Sequence, residues 1–281
     1  MSIKLTKTLE IYILIWYTLL VSKAHISIYS REEFKMIRVT VWNEYFHELK
    51  EESVSKVYPK GIHSAIAEFL GTNEDIEVTT ATLHNENGEL NADAGITDEL
   101  LANTDVMLWW GHVRHGEVPD EIALKVKNAV LEGMGIIFLH SAHHSKPFKL
   151  LMGTTCNLGW RESNDKERLW IIDHNHPIMA GVEGRFFELE AEETYSEPFG
   201  IPDPDKLLLV GWYNGGEVFR SGCIWHRENG KVFYFQPGHE TFPTFYNPTV
   251  QKIITNAVKW AAPVCPRIPL ECPWVARLEE K

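Results

Sequence analysis

From residue 36 onward, apolar runs typical of β-strands alternate with amphipathic segments typical of helices. Residues 37–42 (IRVTVW) and 135–139 (GIIFL) have the β-branched or unbroken apolar character of buried strands. Residues 61–70 and 119–133 instead repeat their apolar positions at helical spacing. Consecutive strand–helix–strand units pair in parallel through right-handed crossovers. The alternation therefore predicts a doubly wound α/β sheet with helices on both faces.

The pattern changes near residue 164, where strand-like runs follow one another with short turns between them. Residues 214–216 (NGG) and 228–230 (ENG) are hairpin signals, and residues 248–262 form a final amphipathic helix. The sequence thus predicts one domain over residues 36–263, with additional C-terminal strands, followed by a tail over residues 264–281.

Residues 1–35 have three interpretations, one of which is an ordered part of the fold. The apolar run at 11–21 is too short to span a bilayer as a helix. A segment upstream of the natural start at Met36, expected to be poorly ordered, fits this composition and the cytoplasmic location favoured by the cysteines. Lys4 and Lys7 before the run, and small residues at 22–24, also fit a signal peptide over residues 1–24, which would mean export.

The composition narrows the classes of partner. The 281 residues carry a net charge of -12, which argues against binding to nucleic acid or to an anionic membrane. Cys156, Cys223, Cys265 and Cys272 form no CxxC pair, and reduced thiols are expected. The 10 Trp and 9 Tyr would suit stacking on sugar rings, although aromatic residues serve cores more often.

Histidines collect where strands end. Of the 13 histidines, eight fall in the five turns that follow strand candidates: His47, His84, His112, His115, His140, His143, His144 and His239. Ligands of open α/β sheets bind outside the carboxyl ends of the strands, and these turns share one edge if the strands are parallel. The pattern predicts a site built from several loops.

Three interpretations of this site stay open: polar loops without a function, a divalent metal site for Zn, Mn or a similar ion, and metal-free acid–base catalysis. The inner catalytic groups, and the candidate metal ligands, are His112, His140 and His239. Glu193 and Glu240 are expected to act as acid, base or ligand, and Glu44 is a further candidate for the metal-binding carboxylate. Ser141 is disfavoured as a nucleophile because its frame, LHSAH, lacks the glycines of a G-x-S-x-G elbow.

Other polar and aromatic residues near the strand ends are candidates for binding substrate hydroxyls. They are Asn43, Glu44, Ser141, Trp160, Arg161, Tyr195 and Arg220. Residues 192–199 (EETYSEPF) are predicted to form a turn, either a solvated acidic loop or part of the site. Arg220 is expected to pair with one of its carboxylates or with substrate.

Five motifs together resemble the trehalose-utilisation (ThuA-like) family over residues 36–262. They are WWGH (109–112), GMGIIFLHSAHHSKPFKLLMGTTCNLGWRE (133–162), EETYSEPFGIPDP (192–204), GGEVFRSGC (215–223) and FYFQPGHETFPTFYNP (233–248). The resemblance implies a flavodoxin-like, mostly parallel sheet related to class I glutamine amidotransferases. That superfamily holds a catalytic cysteine in the turn where this chain has His140, so glutamine hydrolysis through a thiolate is excluded.

The resemblance also implies a role with trehalose or a related disaccharide. The first hypothesis is an enzyme that isomerises, epimerises or eliminates from a disaccharide or its 3-keto derivative, because protons next to a keto group are acidic enough for a His or Glu base. Alternatives are a non-catalytic sugar sensor and a subunit of a larger complex; a homo-oligomer is compatible with all three.

Overall fold

The computed structural model describes residues 36–279, and a mixed β-sheet runs through them. In chain order its strands are β1 (Ile37–Asn43), β2 (Ile76–Thr82), β3 (Val106–Trp110), β4 (Gly135–Leu139), β5 (Gly159–Ile171), β6 (Phe186–Ser196), β7 (Lys206–Tyr213), β8 (Val218–Arg227) and β9 (Gly230–Phe235). The helices are α1 (His47–Lys50), α2 (Glu52–Val57), α3 (Ile62–Leu70), α4 (Asp98–Ala102), α5 (Asp120–Glu132), α6 (Lys146–Met152) and α7 (Pro248–Ala261).

One half of the sheet is parallel. Strands β2, β1, β3, β4 and β9 lie side by side in that order, and each neighbouring pair is parallel. With β9 counted as the fifth strand, this is the 2-1-3-4-5 order of flavodoxin-like sheets. The predicted doubly wound fold is confirmed, and the carboxyl ends of these strands share one edge.

The other half is antiparallel and extends the sheet beyond β9 in the order β8, β7, β5, β6. The turns at residues 214–216 and 228–230 join β7 to β8 and β8 to β9, as the glycine signals predict. The predicted additional C-terminal strands are therefore confirmed. They place the polar end of β6 beside the edge formed by the carboxyl ends of the parallel strands.

Apolar side chains cover both faces of the sheet. Successive residues of a strand point to opposite faces, so one strand contributes to both core clusters. In β3, Leu108 and Trp110 belong to the core cluster that also contains α3 and α7, whereas Met107 and Trp109 belong to the cluster that contains α5 and α6. All four side chains are fully buried. A strand covered on both faces has no polar alternation, which explains the unbroken apolar runs of the sequence.

The predicted turn at residues 192–199 is wrong for its first half. Strand β6 continues through Ser196, and Glu192, Glu193, Thr194 and Tyr195 are buried. The solvated acidic loop is excluded, because this end of β6 pairs with β5 and lies over the strand-end loops rather than in solvent. The carboxylates therefore belong to the interior.

The structure describes the C-terminal tail as far as residue 279 but not the N-terminal segment. The predicted N-terminal extension, residues 1–35, lies outside the described residues. In the C-terminal tail, Arg267 donates to the Leu101 and Thr104 carbonyl oxygens, and Ile268 N–H donates to Glu132 O at 2.9 Å. Cys265 and Cys272 are exposed free thiols. Between residues 36 and 279 no helix is long and apolar enough to cross a membrane.

Candidate functional site

Four of the predicted residues converge at the carboxyl edge of the parallel strands. His112 follows β3, His140 follows β4, His239 follows β9, and Glu193 comes from the end of β6. One nitrogen or carboxylate oxygen from each lies within 4.8 Å of the corresponding atoms of the other three. We call this set the four-residue centre. It contains the three histidines and one of the two carboxylates that the sequence singled out.

His140 is held by its backbone and by one ring nitrogen. Its φ of +52° lies in the left-handed region, and its carbonyl oxygen accepts a hydrogen bond from Tyr234 Oη at 3.0 Å. Its Nδ1 is 2.9 Å from the carbonyl oxygen of Gln236, so Nδ1 carries a proton and donates it. In the neutral imidazole this leaves a lone pair on Nε2, directed into the centre.

Two electron-rich atoms therefore face each other in the centre. His140 Nε2 lies 2.9 Å from Glu193 Oε2, and both atoms are buried; while Nε2 carries no proton, neither atom has a hydrogen-bond donor. Complete burial opposes a charge on His140, but the carboxylate of Glu193, with Glu192 and Glu240 nearby, outweighs it and raises the pKa of His140. A positive charge between the two atoms, either a proton or a metal ion, relieves the repulsion.

His239 is presented by a turn that a buried carboxylate organises. Glu192 accepts hydrogen bonds from the backbone N–H groups of Gly238 and His239, at 3.2 and 3.3 Å, and from the Thr244 hydroxyl. His239 Nδ1 lies 2.8 Å from Thr241 Oγ1, and its buried Nε2 has no hydrogen-bond partner. Burial, with the neighbouring histidines, lowers the pKa of His239 to about 3, so it stays neutral.

Glycine is required at the position before His239. Gly238 has a φ of +133°, and a Cβ added there would lie 2.5 Å from Phe245 Cζ. The carbonyl oxygen of Gly238 also accepts a hydrogen bond from Trp110 Nε1 at 2.9 Å. The end of β3 thus fixes the turn that follows β9.

His112 is positioned by Glu44, which the sequence predicts to bind substrate. The Glu44 carboxylate accepts hydrogen bonds from the backbone N–H groups of His112, Val113 and Arg114, at 2.8–3.1 Å. Glu44 is buried, and its three bonds hold the loop after β3 against the end of β1. Burial, with the neighbouring imidazoles, lowers the pKa of His112 well below its usual value.

A second group adjoins the four-residue centre and shares His112 with it. His47, His112 and Glu240 each offer one atom, and these atoms also lie within 4.8 Å of one another. His47 Nε2 is 3.1 Å and Glu240 Oε1 is 3.3 Å from His112 Nδ1. Burial raises the pKa of Glu240 to about 7, although His47 and His140 act against that rise.

A cleft of about 380 Å³ opens onto the centre, and both His112 and Glu193 line it. Ser141 Oγ and Tyr195 Oη hydrogen-bond each other at 2.7 Å in its wall. Trp160 lines the mouth with 66% of its surface exposed. The remaining lining residues are Val113, His115, His143, His144, Asn157, Leu158 and Glu162.

Four predicted substrate-binding residues lie outside this cleft and have protein partners: Glu44, whose contacts are given above, and three more. Asn43 donates to Glu48 Oε1 at 2.7 Å in the turn after β1. Arg161 forms ion pairs with Asp165 and Glu217. Arg220 pairs with Glu197 at 2.8 Å, which is the carboxylate partner expected as one alternative. These contacts brace the strands and loops around the site.

Sequence reasoning assigned no role to several residues of this region, among them His47, His143 and Glu192. His47 lies four residues beyond β1, so its position at the shared edge was a usable signal. His143 lines the cleft while its Nδ1 donates to the Cys156 carbonyl oxygen at 2.8 Å. Glu192 was indicated only as one of the acidic residues of 192–199, because its role depends on amide groups that are more than forty residues away.

The comparisons with known proteins agree with this fold. The sequence model of the ThuA family, described as trehalose utilisation, matches residues 38–261. No curated protein matches the sequence. Among solved structures, a ThuA-like protein from Parabacteroides merdae is 15% identical, with a TM-score of 0.61; the match covers 85% of this chain and 95% of that one.

Two further solved structures are similar. A cytoplasmic protein from Salmonella typhimurium is 11% identical with a TM-score of 0.55, over 81% of this chain and all of that one. The carbohydrate deacetylase Agd3 is 12% identical with a TM-score of 0.51, over 80% of this chain and 32% of that one. At these identities the likeness shows a shared fold. Because the family model spans most of the sequence, the chain belongs to the trehalose-utilisation (ThuA) family.

Proposed function

We propose that this protein is a metal-dependent enzyme that acts on an uncharged sugar, with the four-residue centre as its metal site and the adjoining cleft as its sugar site. The observation that carries the proposal is the convergence of three imidazoles on one buried carboxylate beneath an open cleft. Membership in a trehalose-utilisation family supports a sugar as the ligand.

The unsatisfied atoms of the centre favour a metal ion over a shared proton. His140 Nε2, Glu193 Oε2 and His239 Nε2 are all buried without a hydrogen bond. One proton would join His140 to Glu193 and would leave His239 Nε2 without a partner. A single divalent ion would satisfy all three atoms and His112 as well. Three histidines and a carboxylate suit Zn²⁺ or Mn²⁺.

The outer contact of His140 has the form seen around metal ligands. A histidine that binds a metal commonly donates its other N–H to a carbonyl or carboxylate oxygen, which fixes the ring. His140 donates from Nδ1 to the Gln236 carbonyl, whereas His239 Nδ1 lies next to the Thr241 hydroxyl and accepts from the Thr241 backbone N–H at 3.4 Å. Both rings therefore present Nε2 to the centre.

The cleft fits a neutral, hydroxylated ligand. Its walls offer the Ser141 and Tyr195 hydroxyls, and Trp160 provides an exposed ring on which a sugar could stack. None of the cleft residues, all of which the structure describes, is a lysine or an arginine. Arg161 and Arg220 are engaged with carboxylates elsewhere. A phosphorylated or carboxylated sugar would find no cation here except the metal.

The chemistry supported by this arrangement is isomerisation or elimination next to a carbonyl group. A divalent ion held there would stabilise the negative charge that develops on sugar oxygens when the Glu193 carboxylate, which lines the cleft, takes up a neighbouring proton. Tyr195, in the cleft wall, would hold a hydroxyl of the sugar ring through its hydrogen-bonded pair with Ser141. The His112 and Glu193 side chains reach both the cleft and the centre, so they fix the reacting oxygens relative to the metal.

Elemental analysis of the purified protein, together with NMR of sugars incubated with it, tests the proposal. We expect a stoichiometric transition metal and conversion of 3-keto-trehalose that chelation abolishes and added metal restores. Protein that contains no metal, and gains none when loaded with Zn²⁺ or Mn²⁺, would contradict the metal site. Tight binding of the sugar without conversion would indicate a sugar-binding protein instead.

Replacing Trp160 with alanine should weaken sugar binding without removing the metal. Loss of one stacking ring is expected to lower affinity about 3- to 10-fold. Because Trp160 is mostly exposed, its removal should leave the melting temperature unchanged. Isothermal titration calorimetry measures the affinity, with Trp274→Ala as the matched control, since Trp274 is exposed but does not line the cleft. Equal affinities of the two variants would show that the Trp160 ring does not contact the sugar.

A further inference from the structure

His47 has an environment that the four-residue centre does not explain. It lies in α1, is buried, and its Nδ1 is 2.7 Å from Glu51 Oε1. A carboxylate only accepts hydrogen bonds, so Nδ1 is the protonated nitrogen and Nε2 carries the lone pair. Histidines that bind a metal typically donate one ring N–H to a carboxylate and direct the other nitrogen at the metal.

The free nitrogen of His47 points toward His112. His47 Nε2 and His112 Nδ1 are 3.1 Å apart, and Glu240 Oε1 is 3.3 Å from the same His112 Nδ1. Ligand atoms on a tetrahedral zinc ion with bonds of 2.0–2.1 Å are separated by about 3.3 Å. These two distances match edges of a coordination shell. On the third side, Glu240 Oε1 lies 3.8 Å from His47 Nδ1, and one atom from each of the three residues lies within 4.8 Å of the other two.

Glu240 adds a second unsatisfied carboxylate to this interior. It is buried, and its Oε2 makes no hydrogen bond. Within residues 36–279, the basic side chains within 4 Å of Glu193 or Glu240 are histidines alone. Two buried carboxylates without a permanent positive charge are costly, and one divalent ion at the four-residue centre directly compensates only Glu193.

His112 is the residue that the two groups have in common. Its Nδ1 is the nitrogen next to His47 and Glu240, which leaves Nε2 for the four-residue centre. We propose that His47, His112 and Glu240 bind a second divalent cation, and that the His112 imidazole bridges the two metal ions. This inference rests on the proposed function, because it takes the first metal site as given.

The bridge changes the protonation of one ring. Without metal, His112 Nδ1–H donates to the free Nε2 of His47, which accounts for their 3.1 Å contact. The second cation replaces that proton, which leaves to solvent, and His112 then binds one ion through each nitrogen. If no second ion binds, His47 and Glu51 only orient His112 for the first metal, and His47 is a positioning residue.

Metal stoichiometry decides between these arrangements. The full chain is stripped with chelator, loaded with Zn²⁺, freed of loose metal by gel filtration, and measured by mass spectrometry. We expect two ions per chain in the unmodified protein, one in His47→Ala, one in Glu240→Gln and two in the control His226→Ala. His226 is an exposed histidine outside both groups and pairs with Asp205. Circular dichroism confirms that each variant is folded.

Each result has one meaning. One ion in both the unmodified protein and His47→Ala overturns the second site and leaves the first site intact. No ion in the unmodified protein overturns this inference and the proposed function together. Loading with Cu²⁺ tests the bridge separately: a bridged pair gives a magnetically coupled electron paramagnetic resonance spectrum, which His47→Ala converts to that of an isolated ion. Two ions without coupling would disprove the bridge.

Discussion

His140→Ala protein should lose its tightly bound metal and, with it, the conversion of sugar. His140 Nε2 lies at the middle of the four-residue centre, 2.9 Å from Glu193 Oε2, and alanine offers no replacement ligand. Removal of an outer partner of a metal ligand typically lowers affinity 10- to 100-fold, so removal of a direct ligand should lower it by at least about 100-fold. Competition with a chromogenic chelator measures this change.

The matched control is His226→Ala, which removes an exposed histidine that pairs with Asp205. It should retain the affinity for metal and the activity of the unmodified protein. A His140→Ala variant that is folded, as judged by circular dichroism, and still binds metal at the original affinity would exclude His140 as a ligand. A His239→Ala variant, measured alongside, distinguishes the loss of one ligand from collapse of the centre, because His239 Nε2 enters the centre from a different loop.

Glu192→Ala should give the largest loss of stability of any substitution discussed here. Glu192 is fully buried and accepts hydrogen bonds from Gly238 N–H, His239 N–H and the Thr244 hydroxyl. Alanine would leave three buried donors without an acceptor and a cavity beside them. We expect the free energy of unfolding to fall by at least about 3 kcal/mol, and the melting temperature by roughly 6–12 °C.

Thermal and urea unfolding, monitored in chelator, measure this loss without a contribution from bound metal. The control is Glu190→Ala, which removes a carboxylate from the same strand whose side chain is exposed and pairs with Lys166. That exposed pair should contribute less than about 1 kcal/mol. Equal melting temperatures for the two variants would contradict the role assigned to Glu192.

The parallel half of the sheet could be predicted because its signals are local. Each buried strand is an unbroken apolar run, and each crossover helix has its own periodicity, as β4 and α5 illustrate. Crossover connections make neighbouring strands parallel, and parallel pairing places their carboxyl ends at one edge. This is why His112, His140 and His239 could be brought together without any knowledge of contacts.

The end of β6 could not be predicted in the same way. Acidic residues in succession resemble a solvated turn, and nothing local indicates that Glu192 and Glu193 are buried. Their burial follows from the donors and imidazoles of the loops after β4 and β9, which meet them only in the folded chain. The same limit applies to Arg161, whose partner Glu217 is 56 residues away along the chain.

The left-handed backbone of His140 lowers the stability of the fold, and this cost can be measured apart from the loss of the imidazole. A side chain at φ +52° costs on the order of 1 kcal/mol or more relative to glycine, which adopts that conformation freely. In the absence of metal, glycine at this position should therefore give a protein that unfolds at a higher temperature than His140→Ala. Because both variants lack the imidazole, the difference between their melting temperatures isolates the conformational cost of this turn from the loss of the ligand.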